Sequence, residues 1–127
     1  MKYTRHSMTE LKYHLVFCPK YRKKITNHYF ISALKFHLEE ISKKNGFDII
    51  EYSIQEDHIH MHFECSPTQA LSTMIGKLKS QLSSAMLEAI PPLIYSLNYN
   101  KNLWSRGYYL SSTGIDSAAV QHYIKHQ

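Results

Sequence analysis

The chain has 127 residues, of which 43% are hydrophobic, with 15 Lys plus Arg against 10 Asp plus Glu, 9 His, 2 Cys, and only 4 Gly and 4 Pro. That size and composition suit one domain spanning residues 1–127 with a real apolar core, and exclude a disordered tail, a low-complexity linker or a repeat array. The net charge of +5 and a pI near 9.2 make a polyanion a plausible partner. No run approaches the roughly 20 apolar residues of a membrane helix, and residues 1–6 lack the apolar region of a secretory signal, so the expectation is a soluble cytoplasmic protein. Cys18 and Cys65 sit inside strand-like runs without partner spacing and read as reduced core thiols.

Residues 11–18 alternate, with Leu11, Tyr13, Leu15 and Phe17 on one face and Lys12, His14, Val16 and Cys18 on the other, which predicts a strand. After the basic turn Pro19-Lys20-Tyr21-Arg22-Lys23-Lys24, the residues Phe30, Leu34, Leu38 and Ile41 recur at helical spacing until Asn45 and Gly46. Ile50, Tyr52 and Ile54 alternate with polar residues, and after Glu56 and Asp57 the pattern resumes as Ile59, Met61 and Phe63, predicting two strands joined by a tight turn. Ser66, Pro67 and Gln69 have the form of a helix start. The stripe Leu71, Met74, Ile75, Leu78, Leu82, Ala85 and Met86 then continues a second helix, which ends before Pro91 and Pro92. Residues 98–102 read as loop, a last strand lies between Gly107 and Gly114, and a terminal helix begins near Asp116. The order β-α-β-β-α-β plus a tail helix predicts an α+β, ferredoxin-like sandwich with an antiparallel sheet.

Strict alternation in the third strand turns Ile59, Met61 and Phe63 toward the helices and lines His58, His60 and His62 along the opposite face, next to Asp57. Imidazoles at i and i+2 on a strand lie within reach of one divalent ion, and three in a row leave open whether His58 with His60 or His60 with His62 is the pair. The tail helix is the one element left over to cover that face. Ile115, Ala119, Val120, Tyr123, Ile124 and Gln127 share one helical stripe, which stands Tyr123 and Gln127 one turn apart toward the sheet. A tyrosine there suits a nucleophile and a Gln carbonyl suits a metal ligand, although packing and a frayed end describe the same two residues. His126 neighbours Gln127 as an alternative donor. Basic residues interleave with aromatics at Lys20, Tyr21, Arg22, Lys23 and Lys24, at Lys77 and Lys79, and around Trp104, Arg106, Tyr108 and Tyr109, a mixture that fits single-stranded nucleic acid or a solvated rim. No Gly-rich phosphate loop is present, so strand cutting by this chain would conserve phosphodiester energy in a covalent intermediate.

Taken together, Tyr13-His14-Leu15-Val16-Phe17, Pro19-Lys20-Tyr21-Arg22, Asp57-His58-Ile59-His60, the run from Trp104 through Gly107 to Gly114, and Tyr123-Ile124-Lys125-His126-Gln127 resemble the single-tyrosine HUH transposases of insertion sequences, the IS200-like TnpA type. The resemblance spans nearly the whole chain. It implies that His58, His60 and Gln127 bind Mg²⁺ or Mn²⁺, and that Tyr123 attacks single-stranded DNA to leave a 5′-phosphotyrosine link and a free 3′-OH. It further implies hairpin DNA at element ends as the partner, and a homodimer whose tyrosine helix completes the site of the other subunit. Gly114, between the last strand and the tail helix, is compatible with such an exchange. The alternatives are a repeat-processing or replication-type nickase with the same site, a ferredoxin-like module that binds nucleic acid without catalysis, and a small metal-binding protein.

Overall fold

A computed structural model describes residues 11–66 and 70–127, together with the backbone of two short N-terminal strands, β1 (Lys2–Tyr3) and β2 (Met8–Thr9), which pair antiparallel. The main sheet begins with β3 (Lys12–Phe17), and a single 3₁₀ turn at Lys20–Arg22 leads toward helix α1 (His28–Lys44). Asn27 caps α1 by accepting from Phe30 N at 3.1 Å, and the helix stops where Asn45 bonds back to Ile41 O and Gly46 takes φ 87, a left-handed value that suits glycine. Strands β4 (Asp48–Ile54) and β5 (Ile59–Glu64) form a hairpin closed by Gln55 N donating to His58 O at 2.8 Å. Helix α2 (Leu71–Ala89), the one-turn helix α3 (Leu93–Ser96), strand β6 (Tyr109–Ser111) and helix α4 (Ser117–Lys125) complete the chain. The sheet order is β4-β5-β3-β6, every neighbour antiparallel, so the two β-α-β units interleave as the sequence predicts.

One face of the sheet is the core. Leu15 and Phe17 from β3 and Ile59, Met61 and Phe63 from β5 pack with Leu34 and Leu38 of α1 and Ile75, Leu78 and Leu82 of α2, all fully buried. Each contributes roughly 1.5–3 kcal/mol through apolar burial. With that face committed to the helices, the other is left for polar side chains, and α4 docks near its edge on Cys18 and the loop of Ser105 and Gly107.

Three expectations need correction. Ile50 does not face the core: the pairing shifts between Ile49 and Glu51, a bulge that puts Ile49 against the core and leaves Ile50 49% exposed. The second helix starts at Leu71 with Ala70 at its N-cap and no side-chain cap; Ser66 is not helical, and Pro67 and Gln69 lie outside the described residues. Trp104 is no stacking platform for a base, because it is fully buried edge-on to Phe17 at 4.8 Å between ring centroids. Cys18 and Cys65 are buried thiols, as expected. Among the described residues no helix is long and apolar enough to cross a membrane.

Candidate active site

Antiparallel register builds the polar face in rows. Glu51, His62, His14 and Ser111 form one row across β4, β5, β3 and β6, and Ser53, His60, Val16 and Tyr109 form the next. His58 stands just before β5, at the mouth of the hairpin, where its Nδ1 lies 2.7 Å from Asp57 Oδ1. His60 Nε2 lies 3.0 Å from His14 Nδ1, and the His14 ring stacks on His62 with centroids 4.0 Å apart. The burial pattern of β5 alternates strictly, which puts His60 and His62 on the face away from the core, while His58 precedes the strand.

Crowding sets the charge of this cluster. Burial, then the neighbouring His62, pushes His14 below the ordinary imidazole range, against the pull of Glu51. Burial, then His14, pushes His60 the same way. Both rings therefore favour the neutral form, which carries the lone pair a metal ion needs. Among the described residues no three His, Cys, Asp or Glu side chains already converge as a metal cage. The donor types of His58, His60 and Gln127, two imidazole nitrogens and an amide oxygen, would nonetheless suit a divalent ion that keeps positions open for phosphate and water.

Helix α4 starts where the sequence places it, with Asp116 accepting from Ala118 N and Ala119 N at 3.1 and 3.2 Å. Its stripe docks through buried Val120 and half-buried Tyr123, Ile124 and Gln127. The Tyr123 hydroxyl donates to Gly107 O at 3.4 Å and also reaches Cys18 and Ser105. Burial, then Cys18, drives the phenol well above the ordinary tyrosine range, so it is held protonated. Burial likewise pushes the Cys18 thiol up to about 11. Gln127 Oε1 accepts from Ser105 Oγ at 3.0 Å, and its Nε2 donates to Tyr123 O at 2.9 Å, so the last side chain is fixed by two bonds. His126 instead turns its Nδ1 to His122 O at 2.7 Å.

A cleft of about 220 Å³ brings Gln127 together with Asp57, Cys18, Lys23 and Lys24. The remaining basic residues lie elsewhere. Lys77 lines a separate hollow with Lys43 and Lys44, while Lys79 and Arg106 line a groove with Lys101. Lys79 is spoken for: its Nζ donates to Ser105 O at 2.9 Å and Gly107 O at 2.6 Å, holding the loop that receives Tyr123. Tyr21 is exposed, at φ 62 and with Lys20 Nζ 5.8 Å from its ring centre; the Arg22 side chain lies outside the described part of the structure. The sequence did not single out His14, Ser105 or the bracing role of Lys79, because their importance depends on strand register and loop docking. Alternation alone did place His14 on the histidine face.

Residues 7–127 match the family model described as Transposase IS200 like. The transposase for insertion sequence element IS200 of Salmonella typhimurium is 34% identical over 122 residues, covering 96% of this chain and 80% of the relative. The ISDra2 transposase TnpA of Deinococcus radiodurans is 31% identical over 128 residues, covering 100% of this chain and 91% of the relative. A crystal structure of a candidate transposase from Deinococcus radiodurans R1 superposes with a TM-score of 0.87 at 26% identity, covering 100% of this chain and 98% of that one. The fold is also shared, at a TM-score of 0.57 and 12% identity over 98% of this chain and 68% of the other, with a REP-associated tyrosine transposase bound to a REP hairpin. The fold is thus that of a transposase. The chain belongs to the IS200-like transposase family.

Proposed function

We propose that this transposase cleaves and rejoins single-stranded DNA at the ends of an insertion sequence, with Tyr123 as nucleophile and Mg²⁺ or Mn²⁺ held by His58, His60 and Gln127. The observation that carries the reading is the docking of α4: Gln127, one helical turn from Tyr123, shares a cleft with Asp57, whose carboxylate lies 2.7 Å from His58 Nδ1, although neither His58 nor His60 lines that cleft. When bound, the ion would neutralise developing charge on the scissile phosphate. The protein's own groups do the rest. Asp57 fixes the ring of His58, and Lys23 and Lys24 place positive charge at the cleft where a phosphate backbone would lie, although Lys24 is already paired with Glu56. The Tyr123 hydroxyl releases its proton to solvent as its oxygen attacks phosphorus in line, the bond from phosphorus to the 3′ oxygen breaks, and the departing 3′ oxygen takes up a proton from solvent as a free hydroxyl. A 5′-phosphotyrosine remains, and attack by another 3′-OH reverses the step without external energy.

The buried, protonated state of Tyr123 calls for a shift of α4 or a cation nearby before attack. Gly114, at φ 117 beside α4, is where the backbone can absorb such a shift, in place within one subunit or by exchange across a homodimer. Hairpin DNA is the proposed partner, by likeness to the relative bound to a REP hairpin. The test incubates the protein and its Tyr123→Phe variant with single-stranded DNA from the flanking element ends, with Mg²⁺ or Mn²⁺ and with chelator. A denaturant-resistant adduct that needs the metal and vanishes in the variant is the expected result. DNA bound intact by both proteins would point to a binding module.

A further inference from the structure

His14 stands in β3 directly opposite His62 and diagonally from His60. Its ring lies 7° from parallel with His62, and its Nδ1 is 3.0 Å from His60 Nε2. The buried neighbours Leu15 and Val16 fix the backbone beneath it, so the ring is held by stacking from one side and a polar contact on the other. Two ring nitrogens at that distance share one proton, so one is the donor and the other offers its lone pair. A histidine can ligate a metal only through a nitrogen free of its proton, and the remaining N–H is normally engaged by an orienting partner. His58 meets that requirement through Asp57 at its Nδ1, which leaves Nε2 for an ion. For His60 the engaged nitrogen is the opposite one.

We propose that His14 is a positioning residue that accepts the Nε2–H of His60, fixes that tautomer and ring plane, and so presents Nδ1 of His60 to a divalent cation. The two ligands then bind through different nitrogens, Nε2 of His58 and Nδ1 of His60, with His62 serving as the stacking support of His14. This rests on His58 and His60 being the metal ligands, as proposed above.

The test reads tautomers and metal binding separately from DNA cleavage. Imidazole nitrogen NMR on the metal-free full chain should show His60 protonated at Nε2, and titration with Zn²⁺ as a diamagnetic probe should move Nδ1 of His60 and Nε2 of His58. His14→Phe keeps a ring to stack on His62 but removes the acceptor; it should lose the tautomer preference and weaken Mn²⁺ binding, measured by calorimetry, about 10–100-fold. His14→Asn, whose side-chain oxygen replaces the acceptor, should return Mn²⁺ affinity to within a few-fold of the parent, a rescue that a purely packing role would not give. The proposal is overturned if His60 carries its proton on Nδ1 in the parent, or if His14→Phe leaves tautomer and Mn²⁺ affinity unchanged while the parent binds the ion. A parent that binds no Mn²⁺ at all strikes the metal-site reading and this inference with it. Should His14→Phe fail to fold, the parent tautomer and the His14→Asn affinity decide the matter.

Discussion

Replacing Lys79 with Met should destabilise the protein although the residue was read from the sequence as a DNA-binding cation. Its Nζ donates to two backbone carbonyls, Ser105 O at 2.9 Å and Gly107 O at 2.6 Å, and these belong to the loop that Tyr123 and Gln127 dock upon. Hydrogen bonds from a charged donor contribute roughly 1.5–3 kcal/mol each, which would sum to about 3–6 kcal/mol. Burial also pulls the Lys79 ammonium below its ordinary range, a sign that part of this gain is offset by lost hydration. A net loss of about 2 kcal/mol follows, or a fall of roughly 8 °C in Tm for a chain of this size. Urea unfolding followed by fluorescence of Trp104, the single tryptophan and fully buried, gives the value directly. Lys77→Met, at an exposed position on the same helix, is the control and should stay within about 0.5 kcal/mol of the parent. If Lys79→Met is equally silent, the amine does not brace the loop and the reasoning fails.

Three further outcomes are expected. His58→Ala should abolish cleavage while shifting stability by less than about 1 kcal/mol, since the ring stands at the hairpin mouth away from the core; an unfolded variant would contradict that placement. The metal-free protein should hold constant stability above about pH 7 and lose it as the pH falls below the unfolded-state value of about 6.5, because His14 and His60 have lowered folded-state values and the unfolded chain takes up protons first. Denaturant melts between about pH 5.5 and 7.5 measure this, and stability that rises on acidification would refute the burial argument. Cys18, with its thiol pushed up to about 11, should resist thiol reagents at pH 8 in the folded state and react once urea unfolds the chain; rapid labelling of Cys18 in the native protein would show the Tyr123 end of α4 to be open.

Much of the fold is legible in the side-chain periods alone. Leu34 and Leu38 on α1, the α2 stripe through Leu82, and the alternation of Ile59, Met61 and Phe63 need no tertiary information, because each pattern fits one secondary structure. Ile50 escapes because a bulge changes register without a residue type that announces it. Trp104 and Lys79 escape for a related reason: a tryptophan beside basic residues looks like a stacking surface until the chain folds it under the sheet, and a lysine looks solvated until a loop brings carbonyls to it. The candidate site divides the same way. His58, His60, Tyr123 and Gln127 are candidates by spacing and resemblance, whereas His14 acquires its contact only when β3 pairs with β5.

The proposed covalent joining of Tyr123 to the 5′ side of a cut strand is tested by peptide mapping of the adduct by mass spectrometry together with polymerase extension of the released strand. The expected result is a nucleotide attached through phosphate to the peptide containing Tyr123, and a released fragment with an extendable 3′-OH. A nucleotide on any other residue, or a released strand blocked by a 3′-phosphate, would contradict it.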